Sequence, residues 1–140
     1  MIEKKTLEQI MTKHPLTILE EDSLQKASDL MLQRRIRHLP VTDSKGEVIG
    51  ILSDRDIQRG MIVRMIEGEL EMVLSPNRKV RDFMSWPPRI VNTETPVKKI
   101  AEIMIEEKIS ALLVESNQTH KVRGIITTED LLKDYLSSLS

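Results

Sequence analysis

Two phrases in this 140-residue sequence set a glycine, a hydroxyl and a carboxylate at the same spacing. Gly50-Ile51-Leu52-Ser53-Asp54-Arg55-Asp56 recurs as Gly124-Ile125-Ile126-Thr127-Thr128-Glu129-Asp130. A hydroxyl residue followed three positions later by an acid, directly after an apolar run, is a capping box, and that role alone explains either phrase. The same arrangement also suits a ligand. Backbone N–H groups at a helix start, with a hydroxyl beside them, form a neutral cradle for phosphate. A carboxylate one turn on accepts hydrogen bonds only, so it can take them from two ribose hydroxyls.

Catalysis and metal binding fit less well. Ser53, His38 and Asp56 contain the residue types of a triad, but a serine that caps a helix is not a strained, exposed nucleophile, so no enzyme is expected. His38 reads equally as a half-buried strand residue with backbone partners, and His14 and His120 as surface residues. No histidine has a second histidine or a carboxylate at the i, i+4 spacing of a helical metal site, so no metal is expected.

The elements that must position these residues come from a duplication. Leu7 to Thr12 matches Val80 to Ser85, Pro15 matches Pro88 and Leu24 matches Val97, a constant displacement of 73 positions (7 to 80, 15 to 88, 24 to 97). One extra residue in Asn117 to Lys121 then aligns Gly50 with Gly124 and Asp56 with Asp130. In the first copy Asp22 or Ser23 caps a helix bearing Leu24, Ala27, Leu30 and Met31; in the second, Thr95 caps and Pro96 takes the first helical position. Strands follow at Arg37 to Val41 and Ser110 to Glu115, and again at Val48 to Leu52 and Val122 to Ile126. With short extended pieces near Thr17-Ile18 and Ile90-Val91, and second helices starting at Ser53 and Thr127, each copy reads β-α-β-β-α. The division expected is 1–62 for the first repeat, 63–78 for a linker and 79–140 for the second. Met61 to Ile66 is expected to prolong the helix before it, and Met61, Met65 and Met72 to pack against a partner.

Composition narrows the class. Only Phe83, Trp86 and Tyr135 are aromatic, so the core is expected to be aliphatic. Twenty-one basic against 22 acidic side chains leave a formal charge of −1, which gives no field to attract a polyanion. Arg34, Arg35 and Arg37 lack an aromatic stacking platform, so nucleic acid is not expected as a partner. There is no cysteine, which a reducing compartment permits, the start Met1 to Thr6 is polar, and no apolar run is long enough to span a bilayer. A cytoplasmic protein with no membrane partner is the expectation.

Taken together, Ile10-Met11-Thr12 with Pro15-Leu16-Thr17-Ile18, Arg35-Ile36-Arg37-His38-Leu39-Pro40-Val41 and the two Gly-x-x-Ser/Thr-x-x-Asp phrases resemble a stand-alone pair of CBS domains, a Bateman module. The resemblance implies an α/β (α+β) fold of tandem repeats packed as a pseudo-twofold pair. It implies a regulatory role, with AMP, ADP, ATP or another adenosyl compound held in two clefts between the repeats and no cofactor required. Carried over by position, Asp56 and Asp130 hold ribose, and Ser53 and Thr127 face phosphate or ribose. Arg37, His38 and Ser110 line the clefts, while Thr17, Ile18 and Arg89 flank the base. The Asp56 cleft is favoured, because Arg37 and His38 stand where the second repeat has Ser110 and Ala111, and Arg89 is a further candidate donor there. The resemblance also implies a homodimer formed through exposed helices and an unidentified target protein that reads the ligand state. The competing reading is a scaffold or dimerisation protein with vestigial clefts.

Overall fold

The computed structural model describes residues 5–139, so the polar start at Met1 to Lys4 lies outside the described residues. In chain order the elements are helix α1 (Leu7–Ile10), strands β1 (Thr12–Lys13) and β2 (Ile18–Leu19), helix α2 (Leu24–Arg34), strands β3 (His38–Thr42) and β4 (Val48–Ser53), and helix α3 (Asp54–Gln58). Next come β5 (Met61–Ile66), β6 (Glu69–Leu74), a 3-10 turn at Val80–Asp82, β7 (Ile90–Asn92), α4 (Val97–Glu107), β8 (Ala111–Glu115), β9 (Val122–Thr127) and α5 (Thr128–Ser138). The mixed α+β pattern β-α-β-β-α occurs twice, as the periodicity implies.

These elements form two compact units that exchange their leading segments. Residues 16–87 make one, with the sheet order β2-β3-β4. The other joins residues 88–139 to the chain's first described residues, up to Pro15, in the order β1-β9-β8-β7. Each repeat's first turn therefore completes the unit that carries the other repeat's sheet. Leu7 and Met11 belong to the cluster of Val91, Ile100, Ile103, Met104, Leu112, Val114 and Ile126. Val80 joins Ile18, Leu24, Ala27, Met31, Leu39, Val41, Leu52 and Ile57, with Phe83 and Met84 packed alongside. Both buried clusters are aliphatic apart from methionine. Lys79 and Arg81 also grip Glu21 at 2.6 and 2.7 Å, fixing the incoming segment at its polar rim.

Two glycines make room for the exchanged segments. A Cβ on Gly50 would lie 2.8 Å from the Ser85 carbonyl oxygen, and one on Gly124 would lie 2.6 Å from that of Thr12. Those carbonyls belong to backbone held in bridges, with the Ser85 N–H donating to Ile51 O at 2.9 Å and Thr12 paired with Ile125. Neither segment can yield without breaking its pairing. Gly50→Ala and Gly124→Ala are each expected to cost about 1–3 kcal/mol, the usual range for overpacking, read as a lower urea midpoint.

The helix caps match the sequence expectation in the first copy and depart from it in the second. Ser23 Oγ accepts from the Lys26 N–H at 3.1 Å, the cap expected there. Thr95 does not cap α4: its Oγ1 turns back to accept from the Asn92 N–H, and Pro96 occupies the cap position without a side-chain bond. Arg35 and Lys108 both adopt left-handed φ, 54° and 56°, and end α2 and α4 at matching positions.

The clearest departure lies after Gln58. Met61–Ile66 does not prolong the helix; it pairs with Glu69–Leu74 as an antiparallel hairpin that fills most of the segment expected to be a linker. Glu67 and Gly68, with φ of 49° and 83°, make the two-residue turn whose twist suits a hairpin. Gly60 lies against Leu24, where any Cβ would collide with the leucine side chain, and this is where α3 gives way to strand.

Candidate functional site

In the unit of residues 16–87, β4 runs straight into α3, and Ser53 stands at the junction. Ser53 Oγ accepts from the Asp56 N–H at 3.1 Å, and Asp56 Oδ2 accepts from the Ser53 N–H at 2.8 Å. The capping box is complete. β3 starts beside it, with His38 opposite Ser53, and the Asp54 N–H donates to the Arg37 carbonyl at 2.9 Å. Arg37, His38, Ser53 and Asp56 thus meet at one end of the sheet, as expected from the sequence. Thr17 is exposed just before β2, whereas the Ile18 side chain is buried in the core.

The second unit repeats the junction. Thr127 Oγ1 accepts from the Asp130 N–H at 3.2 Å, Asp130 Oδ2 accepts from the Thr127 N–H at 3.0 Å, and the Thr128 N–H donates to the Ser110 carbonyl at 3.0 Å. Ala111 sits opposite Thr127, where the first unit has His38. Arg89 belongs to this unit, and its guanidinium is held by Glu107 at 3.1 Å.

The two carboxylates differ in a way the motif does not reveal. Asp56 is 6% exposed, and its Oδ1 lies 2.8 Å from Arg59 Nη2 in an ion pair, while the same Nη2 donates to the Phe83 carbonyl at 2.8 Å. Arg59 was missed in the sequence reading, although its i, i+3 spacing from Asp56 is that of neighbours on one helical face. Asp130 is half-buried, and its Oδ1 has no hydrogen-bond or ion-pair partner among the described residues. The hollow beside it, about 200 Å³ and lined by Lys5, Gln9, Ile10, Asp130, Lys133, Asp134 and Ser137, is smaller than the clefts that usually enclose nucleotide-sized ligands. A wider groove of about 430 Å³ along α2 shares no residue with either junction.

Burial pushes the pKa of His38 below its ordinary value; Asp54 and Asp56 oppose that shift and Arg37 adds to it. The ring is therefore neutral near pH 7. For a histidine with a depressed folded pKa, the unfolded chain binds the proton first as pH falls. The stability tied to neutral His38 is complete above about pH 6.5 and is lost as pH drops through that value toward the folded pKa. Urea midpoints measured from pH 8 to 5 are expected to fall on the acid side, and His38→Gln to flatten that fall.

Among the described residues, no helix is long and apolar enough to cross a membrane. The family model for the CBS domain matches residues 7–62 and 80–137. The fold is similar to that of a CBS domain pair crystallised with 5′-methylthioadenosine and S-adenosyl-L-methionine (TM-score 0.77, 22% identity, 97% of this chain and 99% of that one). It is similar also to CBSX2 crystallised with AMP (TM-score 0.74, 22% identity, 98% and 100%). A curated relative, homoserine O-acetyltransferase of Methanococcus vannielii, is 30% identical over 93% of this chain, yet the match spans only 25% of that protein.

Proposed function

Because this chain belongs to the CBS-domain family, we propose that it is a regulatory module that binds an adenine nucleotide or another adenosyl ligand at its strand-to-helix junctions and passes the ligand state to a partner protein. One observation carries the reading: the junction of a hydroxyl and a carboxylate at a helix start is built twice, with matching hydrogen bonds. In this reading Asp56 and Asp130 accept from ribose hydroxyls, and Ser53 and Thr127 face phosphate or ribose. The Asp56 junction suits a phosphorylated ligand, since Arg37 is exposed beside it. The Asp130 junction, with Ser110 and Ala111 in those places, suits an adenosyl ligand of lower negative charge. The ligands crystallised with the two structural neighbours, AMP on one hand and S-adenosyl-L-methionine with methylthioadenosine on the other, span that range.

The proposal includes association through helices. Leu132, Tyr135 and Leu136 recur along α5 at i, i+3 and i+4, Leu139 follows just past its end, and all four are exposed. A scaffold role is the second reading, favoured by the complete capping boxes, since no buried side-chain polar atom among the described residues lacks a partner. A thermal-shift panel of AMP, ADP, ATP, cyclic di-AMP, S-adenosylmethionine and NADH separates the two. At a ligand concentration 100 times Kd, binding to the folded state adds about 2.7 kcal/mol, so at least one ligand is expected to raise Tm clearly. No shift with any of the six would leave the scaffold reading in its place.

A further inference from the structure

We propose that the β5–β6 hairpin seats the same hairpin of a second copy of this chain, apolar face to apolar face. Register determines which side chains share a face. Met61 pairs with Leu74, Val63 with Met72 and Met65 with Leu70, and directly paired residues point to the same side of an antiparallel ribbon. One face is therefore uniformly apolar, while Arg64, Glu69 and Glu71 all lie on the other. Val63, Met65, Leu70 and Met72 are 62, 66, 71 and 66% exposed. No third strand pairs with the hairpin among the described residues. A two-stranded ribbon is marginal in water unless its apolar face is covered.

Area and charge identify the second copy as the cover. The exposed face presents roughly 500 Å² of apolar surface, and two such faces together remove about 1,000 Å², the size at which a contact becomes a specific interface. The face carries no charged side chain to select a charged partner, and an apolar face can meet its own copy across a twofold axis. Glu67, Glu69 and Glu71 outnumber Arg64, so copies would repel if these charges met. Face-to-face seating keeps them on the two outer sides. The contact uses no residue of the α5 stripe, and it stands or falls separately from nucleotide binding.

The test is the mass of the full chain in the analytical ultracentrifuge. Val63→Lys with Met72→Glu keeps an attractive cross-strand pair but charges the face, and it is expected to halve the mass of the wild-type assembly. Arg64→Ala with Glu71→Ala, on the opposite face, is expected to keep the wild-type mass. Leu132→Glu with Leu136→Glu tests the α5 stripe in the same experiment; a loss of mass there alone would overturn the hairpin contact and retain association through α5. Because the chain has no cysteine, Val63→Cys provides a readout that does not depend on the charged variant folding. Mild oxidation is expected to link Val63→Cys chains into covalent dimers and to leave Arg64→Cys chains largely unlinked. A monomeric wild type, an unchanged mass in the Val63→Lys/Met72→Glu chain, or equal cross-linking at positions 63 and 64 would overturn the proposal.

Discussion

Leu7→Ala is expected to remove about 2–5 kcal/mol of stability, and to remove it from residues 88–139 rather than from the repeat in which Leu7 lies by sequence. Leu7 is 2% exposed and packs with Ile100, Met104, Leu112 and Ile126, so its loss leaves a cavity under the sheet of β7, β8 and β9. The surroundings are held by β1, which pairs with β9 through Thr12 and Lys13, and cannot simply collapse into the space. Native-state hydrogen exchange is the suitable measurement, because it assigns the loss to particular amides. Protection should fall across β8 and β9 and persist in β3 and β4. Val80→Ala should give the mirror result, a smaller loss confined to residues 16–87, since Val80 is fully buried in that unit's core. Loss of protection in β3 and β4 on replacing Leu7 would contradict the exchange of leading segments.

The second large effect concerns the carboxylates. A hydrogen bond to a charged group contributes about 1.5–3 kcal/mol, so replacing the ribose-binding carboxylate should weaken a nucleotide by roughly 10- to 150-fold. Asparagine is the informative replacement. Its carbonyl oxygen can still accept from the cap N–H, so the helix start survives, but its amide cannot accept from two hydroxyls. Asp56→Asn is expected to weaken AMP, and Asp130→Asn to weaken S-adenosylmethionine, each measured by calorimetry. Arg59 does not reverse this expectation. Its side chain is 63% exposed and can turn into solvent, whereas the Asp56 carboxylate it leaves is 9% exposed, so displacing Arg59 lowers the affinity for an incoming ribose without removing the site.

The duplicated pattern made most of the fold legible, because helices and strands recur with the same apolar faces in both copies. The hairpin was not legible by periodicity, since Met61, Ile62 and Val63 are apolar in succession and fit a helix as well as a strand. Its signal was the turn: two six-residue runs separated by Glu67-Gly68 have hairpin spacing. The exchanged segments could not be assigned from sequence for a different reason. Leu7 to Thr12 and Val80 to Ser85 are copies of one motif, so each fits either sheet, and only tertiary contacts choose. At the candidate site, the residues of the capping boxes were readable because their partners lie three positions away. Arg59 lies beyond the last residue of the Gly-x-x-Ser-x-x-Asp phrase, so its pairing with Asp56 is not legible in the motif, and the burial of the Ile18 side chain depends on tertiary packing that Thr17-Ile18 alone does not show.

The central claim is that a carboxylate at a strand-to-helix junction recognises ribose. Calorimetric titration of the wild-type chain and of the Asp56→Asn/Asp130→Asn chain with AMP and with 2′,3′-dideoxy-AMP tests it most directly. The wild type is expected to bind AMP at least tenfold more tightly than the dideoxy analogue, and the double variant to lose that preference while remaining folded. Equal affinity of the wild type for the two ligands, or a preference that survives in the double variant, would contradict the account.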